Sequence, residues 1–190
     1  IGVDFTIERT KRWLRRIYLK QRSERAKALG HPYVVIRGFG SANQPVSPYR
    51  LRVEDAESAA YLASRQAFDM AGVTPADIDA CEFYDCFTYT VEATLRDYGF
   101  FKKEQVRDFI TRERLAPGGS LPVNTSGGML SEAYFMGLTP LAESFMQLTG
   151  RCGDRQLGKL AGTKEPALIA CSDNGAVFQG HAAMILERGE

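Results

Sequence analysis

Four short strand-like runs separated by helix-length segments limit the architectures open to this chain. Tyr33-Val34-Val35-Ile36 is β-branched and, by its pattern, ends at Gly38 and Gly40. Residues 78–83 alternate in character, and residues 167–171 and 176–186 close the chain around Ser172-Asp173-Asn174-Gly175, a turn composition suited to a hairpin. Between these runs the apolar residues recur at three- and four-residue spacing. They predict a helix from near Glu54 that packs Ala59, Ala60, Leu62, Ala63, Ala67 and Met70 and stops at Gly72. Further helices are expected over 88–99, 103–113 and 131–148, and Thr74-Pro75-Ala76-Asp77 should open one short turn. Residues 116–128, rich in Pro and Gly, are expected to be a loop. That order predicts an α/β layered domain with a mixed sheet covered by helices.

At 190 residues, with 44% hydrophobic and 25% charged side chains, the chain can bury one sizeable core but not two. The formal net charge of +1 provides no global field to draw nucleic acid or an anionic membrane. Residues 1–31 depart from that average, with nine Lys and Arg against three acids, and Trp13, Leu14, Ile17 and Tyr18 give them one apolar stripe. They are expected to form a basic amphipathic helical segment, with residues 32–190 as the main domain. No run reaches the roughly 18 apolar residues that a membrane span needs, and no signal layout stands at the N-terminus. A cytoplasmic location is expected, as is a longer parent protein, since the chain opens at Ile1. Cys81, Cys86, Cys152 and Cys171 lack both CxxC spacing and neighbouring histidines, which predicts buried free thiols and no metal site.

Three polar constellations interrupt the apolar pattern. Tyr84-Asp85-Cys86-Phe87 stands at a strand end, where α/β folds place chemistry and where both polar groups need partners. On the plainer reading Tyr84 is a core aromatic and Asp85 caps the next helix. Asn124-Thr125-Ser126-Gly127-Gly128 precedes the expected helix over 131–148, so its paired glycines and a helix N-terminus could present N–H groups to an anion. Ser172-Asp173-Asn174-Gly175 is the third, and on its own it is only a turn. Nucleotide loops, a GxSxG elbow and His-rich metal spacing are all missing, and His31 and His181 are poorly placed as general bases.

In their order and spacing these constellations resemble the C-terminal half of the thiolase superfamily, specifically the sterol-carrier-protein-type thiolase and lipid-transfer group, from about Pro32 to Gly189. Tyr84-Asp85-Cys86-Phe87 looks like the family's Asn/His-Glu-Ala-Phe motif. Asn124 to Gly128 looks like Asn-x-x-Gly-Gly, and Ala133-Tyr134-Phe135-Met136-Gly137 looks like Gly-His-Pro-x-Gly. Tyr134 stands in place of the activating histidine, and Ser172-Asp173-Asn174-Gly175 fills the Cys-x-Gly place. Ordinary Claisen chemistry is therefore expected to be disabled. A tyrosine in both motif positions is similar to the steroid side-chain-cleaving aldolases of this superfamily. The resemblance implies retro-aldol cleavage of a β-hydroxyacyl-CoA, with Tyr84 and Tyr134 as acid and base in an unassigned order and Asp85 as an accessory group. It implies Asn124, Gly127, Gly128, Asn174 and Gly175 around the substrate and enolate oxygen, no cofactor beyond the CoA thioester, a homodimer, and a partner protein of the DUF35 OB-fold and zinc-ribbon kind. Acyl transfer on an unusual residue set, and a non-catalytic lipid or acyl-CoA carrier, are the alternatives.

Overall fold

The computed structural model describes residues 24, 25, 27–44, 58–132, 134, 135, 137–174 and 179–189. Most of the expected basic helical segment, residues 1–23 and 26, lies outside the described residues, as do Gly175 and the stretch 45–57, which includes the expected start of a helix near Glu54. Among the described residues four strands form one mixed sheet in the order β1-β4-β3-β2: β1 Val34–Asn43, β2 Ala80–Glu82, β3 Leu168–Ser172 and β4 Gly180–Arg188. β1 and β4 are antiparallel, as are β3 and β4, whereas β2 and β3 are parallel. The α/β layered architecture with a mixed sheet is as the sequence predicts.

β1 runs past the two glycines at which its pattern suggests an end. Both face helix α1 (Ala59–Ala71), and a Cβ at Gly38 or Gly40 would lie 1.9 Å from the carbonyl oxygen of Ala67 or Ala63. Helix and strand touch backbone to backbone there, so the glycines are contact positions rather than breakers. The helix meets them with an alanine face, Ala59, Ala60, Ala63, Ala67 and Ala71, all buried. Ser58 caps it by accepting the N–H of Tyr61, and Gly72 ends it in the left-handed conformation at φ 69°. Thr74 and Asp77 make the expected short turn, in which the Asp77 carboxylate accepts from the N–H and hydroxyl of Thr74.

Among the described residues beyond position 58, the other α-helices are α2 (Thr88–Asp97), two single turns α3 (Val106–Phe109) and α4 (Arg112–Leu115), and α5 (Leu138–Leu148). The helix expected over 103–113 is thus broken into short turns, and α5 begins at Leu138, later than the apolar pattern suggests. The sheet separates two apolar clusters. Ala63, Ala67, Phe68, Cys81, Phe83, Ala170 and Ile185 pack on the α1 side, whereas Leu148, Leu157, Ile169, Cys171 and Leu186 pack on the α5 side. Residues 116–128 are a loop, except that Val123 bridges Cys81 in parallel and so lays 122–124 alongside β2.

Candidate functional site

The C-terminal end of β2 and its continuation, Phe83-Tyr84-Asp85, are held on three sides. Phe83 N–H donates to Asn124 Oδ1 at 2.8 Å, Tyr84 N–H donates to Ser172 Oγ at 3.1 Å, and Asp85 Oδ1 accepts from Met129 N–H at 3.0 Å. The first and third sequence constellations meet the second here. Tyr134, which lies fifty residues away in sequence, completes the site, with its hydroxyl 2.6 Å from that of Tyr84. The two rings meet edge to face at 73° with centroids 6.3 Å apart.

The two tyrosines differ sharply in environment. Tyr84 is 5% exposed and Tyr134 is 59% exposed, so the pair links the protein interior to the surface. Burial, followed by the hydrogen bond with Tyr134, pushes the Tyr84 phenol well above its ordinary value, and it keeps its proton near neutral pH. Either hydroxyl can donate in the pair. Large apolar side chains stand exposed on the same two segments: Phe87 beside Tyr84, and Leu130, Phe135 and Leu138 around Tyr134.

Several expected roles change once the geometry is known. Asp85 does not cap the next helix, whose N-cap is Phe87. It reaches the paired-glycine loop instead: a Cβ on Gly128 (φ 71°) would lie 1.9 Å from Asp85 Oδ2, so only glycine lets the loop close over this carboxylate. The expectation that Gly127 and Gly128 offer N–H groups to an oxyanion does not hold. Both are already engaged, Gly127 N–H on the Asn124 carbonyl at 2.9 Å and Gly128 N–H on Ser126 Oγ at 3.3 Å. Nor does a helix N-terminus stand directly behind them, because α5 starts ten residues after Gly128. Asn124 holds Phe83 and adopts φ 53°, a conformation that asparagine tolerates better than most side chains, and so serves as a buttress of the strand end.

The third constellation is brought close from the other side. Gly137, at the start of α5, sits so near Asp173 that a Cβ would lie 2.5 Å from the Asp173 Cα. Asp173 Oδ1 accepts the N–H of Ala182 at 2.6 Å and fixes the base of the connection to β4. Asn174 follows, half-buried, and Gly175 lies outside the described residues. The connection between β3 and β4 spans residues 173–179, longer than the tight turn its composition suggests.

Sequence reasoning passed over the polar cluster beneath the site. Glu82, Thr125, Glu143 and Gln147 are all buried between β2, the paired-glycine loop and α5. Thr125 N–H and hydroxyl lie 3.1 and 2.7 Å from Glu82 Oε1, the same hydroxyl lies 2.7 Å from Glu143 Oε1, and Arg155 pairs with Glu143 Oε2 at 2.8 Å. The signal open to a reader of the sequence is a glutamate inside an otherwise apolar strand, two residues before Tyr84. A cleft of about 370 Å³ lined by Asp79, Ser120, Pro122 and Lys164 opens at the opposite end of β2 and takes no part in this arrangement.

All four cysteines are free. Burial pushes the Cys171 and Cys152 thiols up to about 12, raises Cys81 well above its usual range and raises Cys86 as well. None is prepared as a thiolate nucleophile.

Residues 51–188 match the family described as Thiolase C-terminal domain-like. The chain is 37% identical over 131 residues, 66% of its length, to 17-hydroxy-3-oxo-4-pregnene-20-carboxyl-CoA lyase of Mycobacterium tuberculosis. It is 35% identical over 133 residues, 67% of its length, to the steroid side-chain-cleaving aldolase of Thermomonospora curvata. In both cases the match spans 34% of the relative, so the chain corresponds to about a third of those proteins. The solved structure of the Ltp2-ChsH2(DUF35) aldolase superposes on 84% of this chain and 41% of its own, with a TM-score of 0.71 and 27% identity.

Proposed function

Because the chain belongs to the thiolase C-terminal domain-like family, we propose that it supplies the acid–base half of a retro-aldolase acting on a β-hydroxyacyl-CoA with a bulky, steroid-type side chain. The observation that carries this reading is the 2.6 Å contact between the Tyr84 and Tyr134 hydroxyls, one buried and one open to solvent. Two phenols this close are coupled, and a proton can pass from one to the other. The Tyr134 oxygen takes the proton of the substrate β-hydroxyl while its own proton crosses the 2.6 Å contact to the Tyr84 oxygen. The bond between the α and β carbons breaks, leaving a ketone, and its electron pair enters the thioester as an enolate. In the same relay the α carbon takes the proton that Tyr84 gives up, releasing a short acyl-CoA. Each tyrosine ends with one proton, as it began. Protons and electrons balance with no cofactor beyond the CoA thioester.

Relatives named as a lyase and as a steroid side-chain-cleaving aldolase support this reading over acyl transfer. So does the state of the thiols, since an acyl-enzyme needs a thiolate and every cysteine here is shifted the other way. The exposed Phe87, Leu130, Phe135 and Leu138 suit an apolar ring system or the face of a companion protein. Likeness to the Ltp2-ChsH2(DUF35) aldolase supports a DUF35 protein as that companion. We place the reaction in the cytoplasm, consistent with four free cysteines, and in a homodimer.

Phenylalanine substitution tests the pair. Tyr84→Phe and Tyr134→Phe should each lower the cleavage rate by roughly 10²–10⁴-fold, the usual contribution of a positioned acid or base. Far-UV circular dichroism should be unchanged in both. Cleavage at the unmodified rate in either variant would remove that tyrosine from the chemistry.

A further inference from the structure

The hydrogens in the cluster beneath Tyr84 can be counted. The Thr125 hydroxyl carries one hydrogen yet stands 2.7 Å from a carboxylate oxygen of Glu82 and 2.7 Å from one of Glu143. It can donate to only one of them. Were both carboxylates ionised, one would face a hydroxyl oxygen lone pair to lone pair in a site closed to water. Glu143 is the ionised member, because its Oε2 pairs with the Arg155 guanidinium at 2.8 Å and its Oε1 faces Gln147 Nε2 at 3.1 Å. Glu82 is 1% exposed, and its charge would meet Glu143, the thiols of Cys81, Cys152 and Cys171, and the more distant Glu132. If a proton sits on Glu82 Oε1, both carboxylates meet a hydrogen at the Thr125 hydroxyl. Glu82 donates to Thr125, Thr125 donates to Glu143, and the Thr125 oxygen still has room for Gln147 Nε2 at 3.0 Å.

The same residues straddle Tyr84. Glu82 stands two positions before it on the strand, and Thr125 belongs to the loop that holds its neighbours, through Asn124 on Phe83 and through Met129 on Asp85. We infer that Glu82 is a positioning residue held as the neutral acid, and that its proton, shared through Thr125 with the Glu143–Arg155 pair, keeps the loop over 124–129 clamped around Tyr84. When that proton is lost, two buried carboxylates repel across a single hydroxyl, and the loop and Tyr84 are released together. The effect on Tyr84 rests on the aldolase reading; the proton on Glu82 does not.

Burial raises the Glu82 carboxyl from 4.5 to about 8, so the folded protein holds a proton that the unfolded chain gives up above its ordinary carboxylate range. This contribution to stability is therefore full below about pH 4.5 and is lost as the pH rises towards and through 8. The test compares the thermal unfolding midpoint of the full chain and its Glu82→Gln variant, which is neutral at every pH, between about pH 5 and 9. The wild-type midpoint should fall relative to the variant by more than about 2 °C, the shift expected of a 150–250-residue domain for a single modest linkage. In wild-type protein carrying ¹³C-labelled glutamate, one side-chain carboxyl should titrate near pH 8, and that signal should be missing from the variant. Parallel midpoint curves together with glutamates that all titrate in the ordinary range would overturn the assignment. If the shifted carboxyl is found, the alkaline fall of kcat/KM for carbon–carbon cleavage should move upward in Glu82→Gln. An unmoved limb would overturn the positioning role while leaving the aldolase reading intact; a protein that cleaves nothing would overturn that reading while leaving the proton on Glu82 to stand on the first two measurements.

Discussion

Asp85 and Gly128 act as one unit: the carboxylate occupies the space that a methyl group on residue 128 would need, and its other oxygen fixes Met129. Gly128→Ala would add a Cβ at φ 71° and drive it into Asp85. The expected outcome is a loss of roughly 1–3 kcal/mol in urea unfolding, from backbone strain and overpacking together. Cleavage should fall at least tenfold as well, because Asp85 adjoins Tyr84 in the chain. A variant with the same urea midpoint and rate as the parent would contradict the coupling. At this scale the sequence reveals the participants better than their roles. Tyr84 and Tyr134 are legible because each interrupts a motif position that ordinarily holds another side chain. The N–H groups of Gly127 and Gly128 are not legible as spent, because their acceptors, the Asn124 carbonyl and Ser126 hydroxyl, depend on how the loop turns back on itself. Glu82 escapes notice because the rest of its cluster, Thr125, Glu143 and Arg155, lies 43 to 73 residues further along the chain.

Between elements, the closest approach is that of α1 to β1, where Gly38 and Gly40 admit the carbonyls of Ala67 and Ala63. Gly40→Ala must push helix and strand apart, since the obstructing atoms are backbone. A destabilisation of roughly 1–3 kcal/mol or more is expected, read as a lower urea midpoint at unchanged slope. An unchanged midpoint would mean that the helix can shift at no cost. A glycine in a β-branched run looks locally like a strand end, and only the packing partner reveals it as a strand interior. The late start of α5 has a similar origin. The apolar pattern suggests a helix from Ser131, but Met129 N–H is held by Asp85 and Gly137 lies against Asp173, and Tyr134 between them reaches Tyr84. The mixed sheet is legible because alternation, turn residues and element order agree with one another.

At the scale of the whole molecule, the chain matches about a third of the length of the curated relatives described above, and one side of its proposed site is open. The exposed apolar residues beside Tyr134 mark where further protein or the substrate itself would close it. The central claim is that bond cleavage here needs the tyrosine pair and no thiol. It is tested most directly by incubating the protein, together with the polypeptides that co-purify with it, with a β-hydroxyacyl-CoA bearing a tertiary alcohol, and following ketone and short acyl-CoA by mass spectrometry. Equimolar release of both products is predicted in the absence of free CoA, and its loss in Tyr84→Phe. Products that form only when free CoA is added, or an acyl group covalently retained on a cysteine, would contradict the claim.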